Sequence, residues 1–223
     1  MKNAARLVLL LVIATGLQLS AHQLTLKVGL FQPQLNSDLW DINRENLAFD
    51  TADMLEGTFA AEYEYFLDQR LSLAFETSTY SKTHYSQYSD WVHEDGSPIF
   101  QNLALRITSF ELAIKLYPFG HRPVLHPFLG LGGGLYAWRY EQWGEFIDFN
   151  DMSVSDGYAE TETYTLGASG RAGFGFQFNP LFGLMVEAKY QYLKGRLSSF
   201  FEGFESLDLS GFTYQLGLTF RFR

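Results

Sequence analysis

Along most of the chain, apolar and polar residues alternate one by one. The clearest case is the final segment, where Phe212, Tyr214, Leu216, Leu218, Phe220 and Phe222 interleave with Thr213, Gln215, Gly217, Thr219 and Arg221. Successive side chains of an extended strand point to opposite faces, so this spacing makes one face apolar and the other polar or small. A helix would scatter both sets around its circumference. The same reading finds seven more strands. Leu24, Leu26, Val28 and Leu30 alternate with Thr25, Lys27 and Gly29, and Phe59, Ala61, Tyr63 and Tyr65 with Ala60, Glu62 and Glu64. Leu71, Leu73 and Phe75 oppose Ser72, Ala74 and Glu76; Phe110, Leu112, Ile114 and Leu116 oppose Glu111, Ala113 and Lys115. In the fifth strand, 127–140, four glycines leave the facing open. The sixth sets Leu166, Ala168, Ala172, Phe174 and Phe176 against Ser169, Arg171, Gly173, Gly175 and Gln177, and the seventh sets Leu184, Val186, Ala188, Tyr190 and Tyr192 against Glu187, Lys189 and Gln191.

The connections alternate in length. Long links fall at 34–55, 81–103, 141–162 and 196–208, and short ones at 67–70, 118–126 and 179–182. Four long and three short links are what eight antiparallel strands need when both termini lie on the short-turn side, the asymmetry of a bacterial outer-membrane barrel with periplasmic turns and extracellular loops. A soluble barrel of eight strands would turn the apolar face inward, toward a ligand cavity. Here the other face mixes glycine with charge, which suits a crowded inner wall. The expected architecture is an all-β, eight-stranded, antiparallel, up-and-down transmembrane β-barrel. Phe31, Tyr65, Tyr117, Phe128, Trp138, Tyr140, Phe178, Tyr192 and Phe222 lie near strand ends and read as an interfacial aromatic girdle.

Ahead of the strands, Lys2 and Arg6 precede an apolar run over 7–17 and the small residues Ser20 and Ala21, the layout of a secretory signal peptide. Cleavage after Ala21 divides the chain into a leader, 1–21, and one barrel domain, 22–223. The formal charge then moves from −9 over 223 residues to −11 over the remaining 202, because Lys2 and Arg6 leave with the leader. That acidity argues against a nucleic-acid partner. With no cysteine there is no disulfide, thiolate metal site, thiol nucleophile or lipid-modified N-terminal cysteine. No stretch after the leader approaches the run of about 18 apolar residues that marks a membrane helix.

Two local motifs resemble a known group. Gln215-x-Gly217-x-x-Phe220-x-Phe222 is similar to the C-terminal signal of outer-membrane barrels, which implies recognition by the barrel-assembly machinery; Arg223 follows where such signals usually end. Pro127-Phe128-Leu129-Gly130-Leu131-Gly132-Gly133-Gly134 resembles the start of a middle strand in the small outer-membrane β-barrel superfamily that includes OmpA-like, OmpW-like and OmpX-like barrels. The resemblance implies a fold and an outer-membrane location in contact with lipid and lipopolysaccharide; its members differ too much to imply one activity.

Placing the apolar faces outward puts Lys27, Glu62, Glu64, Glu76, Glu111, Lys115, Arg171, Glu187, Lys189 and Arg221 inside, five acids with five bases. An eight-stranded barrel is only wide enough for its own side chains, so these are expected to pair and plug the lumen of a monomer with a structural or surface-interaction role. The alternatives are a narrow channel or hydrophobic-solute passage of the OmpW-like type, and a lipid A-modifying enzyme. For the latter, His84 and Ser86 share a strand face, with Asp90 or Glu94 as a candidate third partner, a faint resemblance to outer-membrane lipid A deacylases. Glu141, Glu145, Asp148, Asp151, Asp156, Glu160 and Glu162 crowd the third long link, with no compensating cation seen before Arg171; they read as a solvated acidic loop, since Asp148-Phe149-Asn150-Asp151 lacks the spacing of a calcium loop. His121 and His126 flank a proline turn and show no metal spacing. No metal or cofactor is expected. Leu39-Trp40-x-Ile42 reads as a short helix capped near Ser37 and lying over the barrel mouth, and Phe200 to Phe204 as an extension of the flanking strands.

Overall fold

The computed structural model describes residues 22–149, 151–197, 199–201, 203–204 and 206–222. The expected leader and its cleavage point lie outside the described residues, as do Asn150, Glu202 and Arg223. Eight strands form the wall: β1 (His22–Pro33), β2 (Glu56–Phe66), β3 (Leu71–Val92), β4 (Pro98–Leu116), β5 (Leu125–Asp148), β6 (Ser153–Gln177), β7 (Phe182–Tyr192) and β8 (Gly211–Phe222). Each pairs antiparallel with its chain neighbours, and β1 closes on β8 from His22↔Phe222 to Pro33↔Gly211. Closure leaves the barrel no edge strand at the seam.

Facing follows the alternation. Leu24, Leu26, Val28 and Leu30 are 37–53% exposed on the outer wall, whereas Thr25 and Lys27 between them are buried. Leu112, Ile114, Leu129, Leu131, Val186 and Leu216 continue the apolar exterior around the ring. A water-soluble barrel is the reverse of this, so the fold is a transmembrane barrel. Among the described residues no helix is long and apolar enough to cross a membrane. In β5 the odd positions Leu129, Leu131 and Leu135 face out while Phe128, Tyr136, Trp138 and Tyr140 are buried, which settles the facing of the glycine-rich strand.

Three expectations are corrected. The links 81–103 and 141–162 are mostly strand: β3 pairs with β4 to Gln87↔Phe100, and β5 with β6 to Asp148↔Ser153. Their inward residues, among them Tyr88, Ile99, Leu103, Ile147 and Ala159, join the hydrophobic core at that end, and Thr and Tyr tolerate the pleated wall well. Second, Phe31, Tyr117, Phe128, Trp138 and Tyr140 are not girdle residues but are buried inside, the first three one position out of step with an outward leucine; Phe178, Tyr192 and Phe222 are exposed. Third, Phe200 to Phe204 does not extend β7 and β8. Two-residue strands Lys194–Gly195 and Leu207–Asp208 pair there, a 3₁₀ turn covers Ser199–Phe201, and Phe201 is buried while Phe200 is 78% exposed.

Candidate functional site: a filled lumen

The barrel interior holds three layers between the end carrying the short turns and the end carrying the long connections. The middle layer is ionic. Glu62, Glu76 and Glu111 are direct cross-strand neighbours on β2, β3 and β4, an arrangement that repels when unopposed. Arg171 and Lys189 are likewise neighbours on β6 and β7 and reach toward that acidic row. Arg171 places Nη1 3.2 Å from Glu62 and 3.1 Å from Glu76, and Nη2 3.0 Å from Glu111. Lys189 Nζ bridges Glu76 at 2.7 Å and Glu111 at 2.8 Å. Lys27 joins Glu62, Glu76 and Glu187 at 2.8, 2.5 and 3.0 Å. Lys115 pairs with Glu62 and lies 3.4 Å from Glu64. All nine residues are buried.

Glycine makes room for this layer. A Cβ on Gly130 would stand 2.8 Å from Arg171 Cγ, and one on Gly173 2.6 Å from Phe128 Cζ. Arg221, expected in the same network, lies apart: its Nη2 donates to Gln23 Oε1 at 3.0 Å, its Nη1 to the His121 carbonyl at 3.3 Å, and its guanidinium sits over Phe66. It is too near the turn end to meet the glutamates of the middle layer.

That end is closed by Phe66, Tyr117, Phe128 and Met185. Tyr117 donates its hydroxyl to Glu64 at 2.5 Å, and Lys115 Nζ lies 4.8 Å from the Phe128 ring centroid, so the aromatic layer grips the ionic one. His121 stacks on Phe66 with centroids 4.1 Å apart. Burial and the neighbouring Arg221 push this turn histidine down to about 4.

The long-connection end is filled by the chain folding into it. Helix α1 (Asp38–Asn46) starts at Ser37, whose side chain makes no cap bond to the helix. Leu39 and Trp40 are buried, and Ile42 faces out. Trp40 Nε1 donates to the Asp208 carbonyl at 3.0 Å, and Asn43 Nδ2 to Tyr140 Oη at 2.8 Å. Around them Leu35, Leu47, Phe49, Met54, Leu193 and Leu209 pack against the inner faces of β3–β6. The helix is thus a plug inside the mouth.

His84 and Ser86 both meet that plug. Ser86 Oγ donates to the Ala48 carbonyl at 2.9 Å, and His84 Nε2 lies 3.4 Å from the same oxygen. Among the described residues no hydrogen bond joins them; the carboxylate nearest His84 is Asp53, at 4.0 Å, rather than Asp90 or Glu94. The acidic third link is compensated in part, by a cation other than Arg171: Arg139 lies 3.1, 2.5 and 3.8 Å from Glu141, Glu160 and Glu162, and His93 meets Glu145 at 2.8 Å. Arg139 precedes the cluster in sequence and reaches it across the β5–β6 pair. Among the described residues no group of three or more His, Cys, Asp or Glu is placed to hold a metal. In β8, Gln215 and Gly217 face inward, Phe220 meets Phe182 edge-on with centroids 5.2 Å apart, and Phe222 faces out beside His22.

No family model and no curated protein sequence matches the chain. Its backbone is similar to that of the outer membrane protein OprG from Pseudomonas aeruginosa, with a TM-score of 0.57 over 92% of this chain and 96% of that one at 12% identity. The fold is that of a small outer-membrane β-barrel. Weaker likenesses run to Neisserial surface protein A, TM-score 0.47 at 11% identity over 92% and 98% of the chains, and to the N-terminal barrel of OprF from Pseudomonas aeruginosa, 0.42 at 15% over 90% and 97%. At these identities the small outer-membrane barrel supplies an architecture, and the lumen's own residues must carry any statement of what it does.

Proposed function

We propose that the chain is a monomeric integral protein of the bacterial outer membrane with a closed lumen and a structural or surface-interaction role. In this reading both termini and the short turns are periplasmic, and the four long connections are extracellular. Leader 1–21 directs export, and Gln215, Gly217, Phe220 and Phe222 serve the barrel-assembly machinery. The apolar belt meets lipid, and the rim above it meets lipopolysaccharide. The filled lumen carries the proposal: nine buried charges bridge the walls in the middle, and α1 occupies the mouth. Such a barrel offers partners its outer surface and hairpin tips. The reading is non-enzymatic, because Ser86 is engaged with a backbone carbonyl at the plug.

The chain has no native cysteine, so orientation is directly testable. On intact cells Ser97→Cys, in the β3–β4 turn, is expected to react with a membrane-impermeant maleimide, and Asn179→Cys, in the β6–β7 turn, only after lysis. The opposite pattern refutes the orientation. A second reading, an apolar-solute passage, has one observation in its favour. The upper interior is apolar, and β6 pairs with β7 only from Ala168 onward, leaving the wall above to the 193–210 connection. Uptake of an apolar solute that rises when the plug is loosened would favour it.

A further inference from the structure

The longest hairpins end in exposed apolar side chains. β3–β4 and β5–β6 outrun the other strands, and Asp148 stands thirteen positions past the outward Leu135 along β5, about 40 Å at strand rise. The tips therefore lie clear of the apolar belt. They also touch each other: the Trp91 and Phe149 rings meet edge-on with centroids 6.0 Å apart, and Glu145 accepts from the Phe100 backbone N–H at 3.0 Å while meeting His93. Met152 shares the β5–β6 turn with Phe149, its N–H closing on the Asp148 carbonyl at 2.7 Å. Even with the tips joined, Trp91 is 38%, Val92 62%, Phe149 54% and Met152 46% exposed. Large apolar side chains gathered in water, away from lipid, mark an interaction surface.

The charge around this patch is of one sign. No Lys or Arg occurs within 83–105 or 140–170, so the charged groups at the two tips are carboxylates, apart from His93. Arg139 serves Glu141, Glu160 and Glu162 at the base of the hairpins, and His93 takes Glu145. None of the ion pairs among the described residues reaches Asp90, Glu94, Asp95 or Asp151, all of them exposed. Hydrogen bonds from Ser97 and Ser153 hold the Asp95 and Asp151 carboxyls below their ordinary value, so both stay ionised. We infer that the joined hairpin tips bind a cationic, amphipathic segment of another protein, its apolar side chains covering Trp91 and Phe149 and its Lys or Arg side chains meeting the surrounding carboxylates. Opposite charge steers such a segment to the site, whereas a second copy of this chain would set the same acids against each other, and an anionic lipid surface is repelled in the same way. The inference rests on the surface-interaction role proposed above and names the chemistry of the partner.

The test puts a fluorescent dye on Ser97→Cys at the tip, in the full protein in phosphatidylcholine nanodiscs, and titrates a synthetic amphipathic helix of Leu and Lys. A saturable change is expected at position 97, weakened by salt, with none from a dye on Asn179→Cys at the opposite end and none from a helix of Leu and Glu. Trp91→Ser with Phe149→Ser is expected to keep the heat-modifiable fold and to weaken binding about tenfold or more, as truncation of interface aromatics does. Asp90→Lys with Asp151→Lys is expected to weaken it too, with the apolar patch intact. Unchanged affinity in both double variants, an equal response to the Leu and Glu helix, or an equal response at 97 and 179 overturns the inference. Self-association through the tips without peptide assigns the patch to a second copy, and a response at 97 to phosphatidylglycerol vesicles assigns it to lipid; either overturns it as well. A protein that binds no helix while Ser97→Cys still reacts on intact cells loses this site alone, and the proposed orientation and closed lumen stand.

Discussion

The two halves of the lumen are closed by opposite chemistries. In the middle layer, charged side chains supplied by the strands themselves bridge wall to wall, so the filling forms only as β1, β2, β3, β4, β6 and β7 come together. Near the long-connection end the filling is apolar and comes from a connection, with Trp40 and Leu39 of α1 seated among residues of β3–β6. The first filling is made of wall side chains and forms with the barrel, whereas the second is carried by a connection that packs against the wall. A narrow barrel can therefore combine a septum built by its wall with a cap built by a connection.

The largest expected effect separates the two. Arg171→Ala leaves Glu62, Glu76 and Glu111 short of a shared partner, and removing one member of a buried ionic group costs about 3–5 kcal/mol. Refolding yield, read as the heat-modifiable band, is expected to collapse. Trp40→Ala empties a large site in the cap, also costing about 3–5 kcal/mol where the surroundings cannot relax, but the cost falls on cap docking. Protease is expected to cut within 34–55 while the barrel keeps its heat-modifiable mobility; loss of the barrel itself would erase the proposed independence of the halves. Gly130→Ala brings a Cβ against Arg171 Cγ, and overpacking of this kind costs about 1–3 kcal/mol, so the variant is expected to refold with a urea midpoint below that of the unaltered protein.

The smallest effect is a pH dependence. His121 in the β4–β5 turn is held at about 4 by burial and by Arg221, below its ordinary 6.5, so the folded state binds fewer protons than the unfolded chain between those values. Its contribution is complete above pH 6.5 and is lost as pH falls toward 4. His121→Gln is expected to flatten that part of the midpoint-against-pH curve; an unchanged slope assigns the dependence to other groups.

Much of this was legible in sequence, and the errors have physical causes. Residue parity placed Lys27, Glu62, Glu111 and Lys189 inside, because each sits between outward apolar neighbours. The same parity turns Phe31 inward next to Leu30 and Tyr117 inward next to Leu116; position near a strand end obscured it. The hairpin ends of β3–β6 were hidden by Ser, Thr, Tyr and acidic residues, which look like loop but suit a wall with one wet face. Arg139 was missed because its carboxylates are reached across a strand pair. Which lysine reaches which glutamate depends on the register of strands distant in sequence, and no local pattern encodes it.

The central claim is that the septum of Lys27, Lys115, Arg171 and Lys189 with their glutamates closes the lumen whatever the cap does. Planar-bilayer recording of the purified protein beside Trp40→Ala tests it most directly. No steady ion conductance is expected from either protein. A steady high conductance from the unaltered protein, or one switched on by Trp40→Ala alone, contradicts the claim.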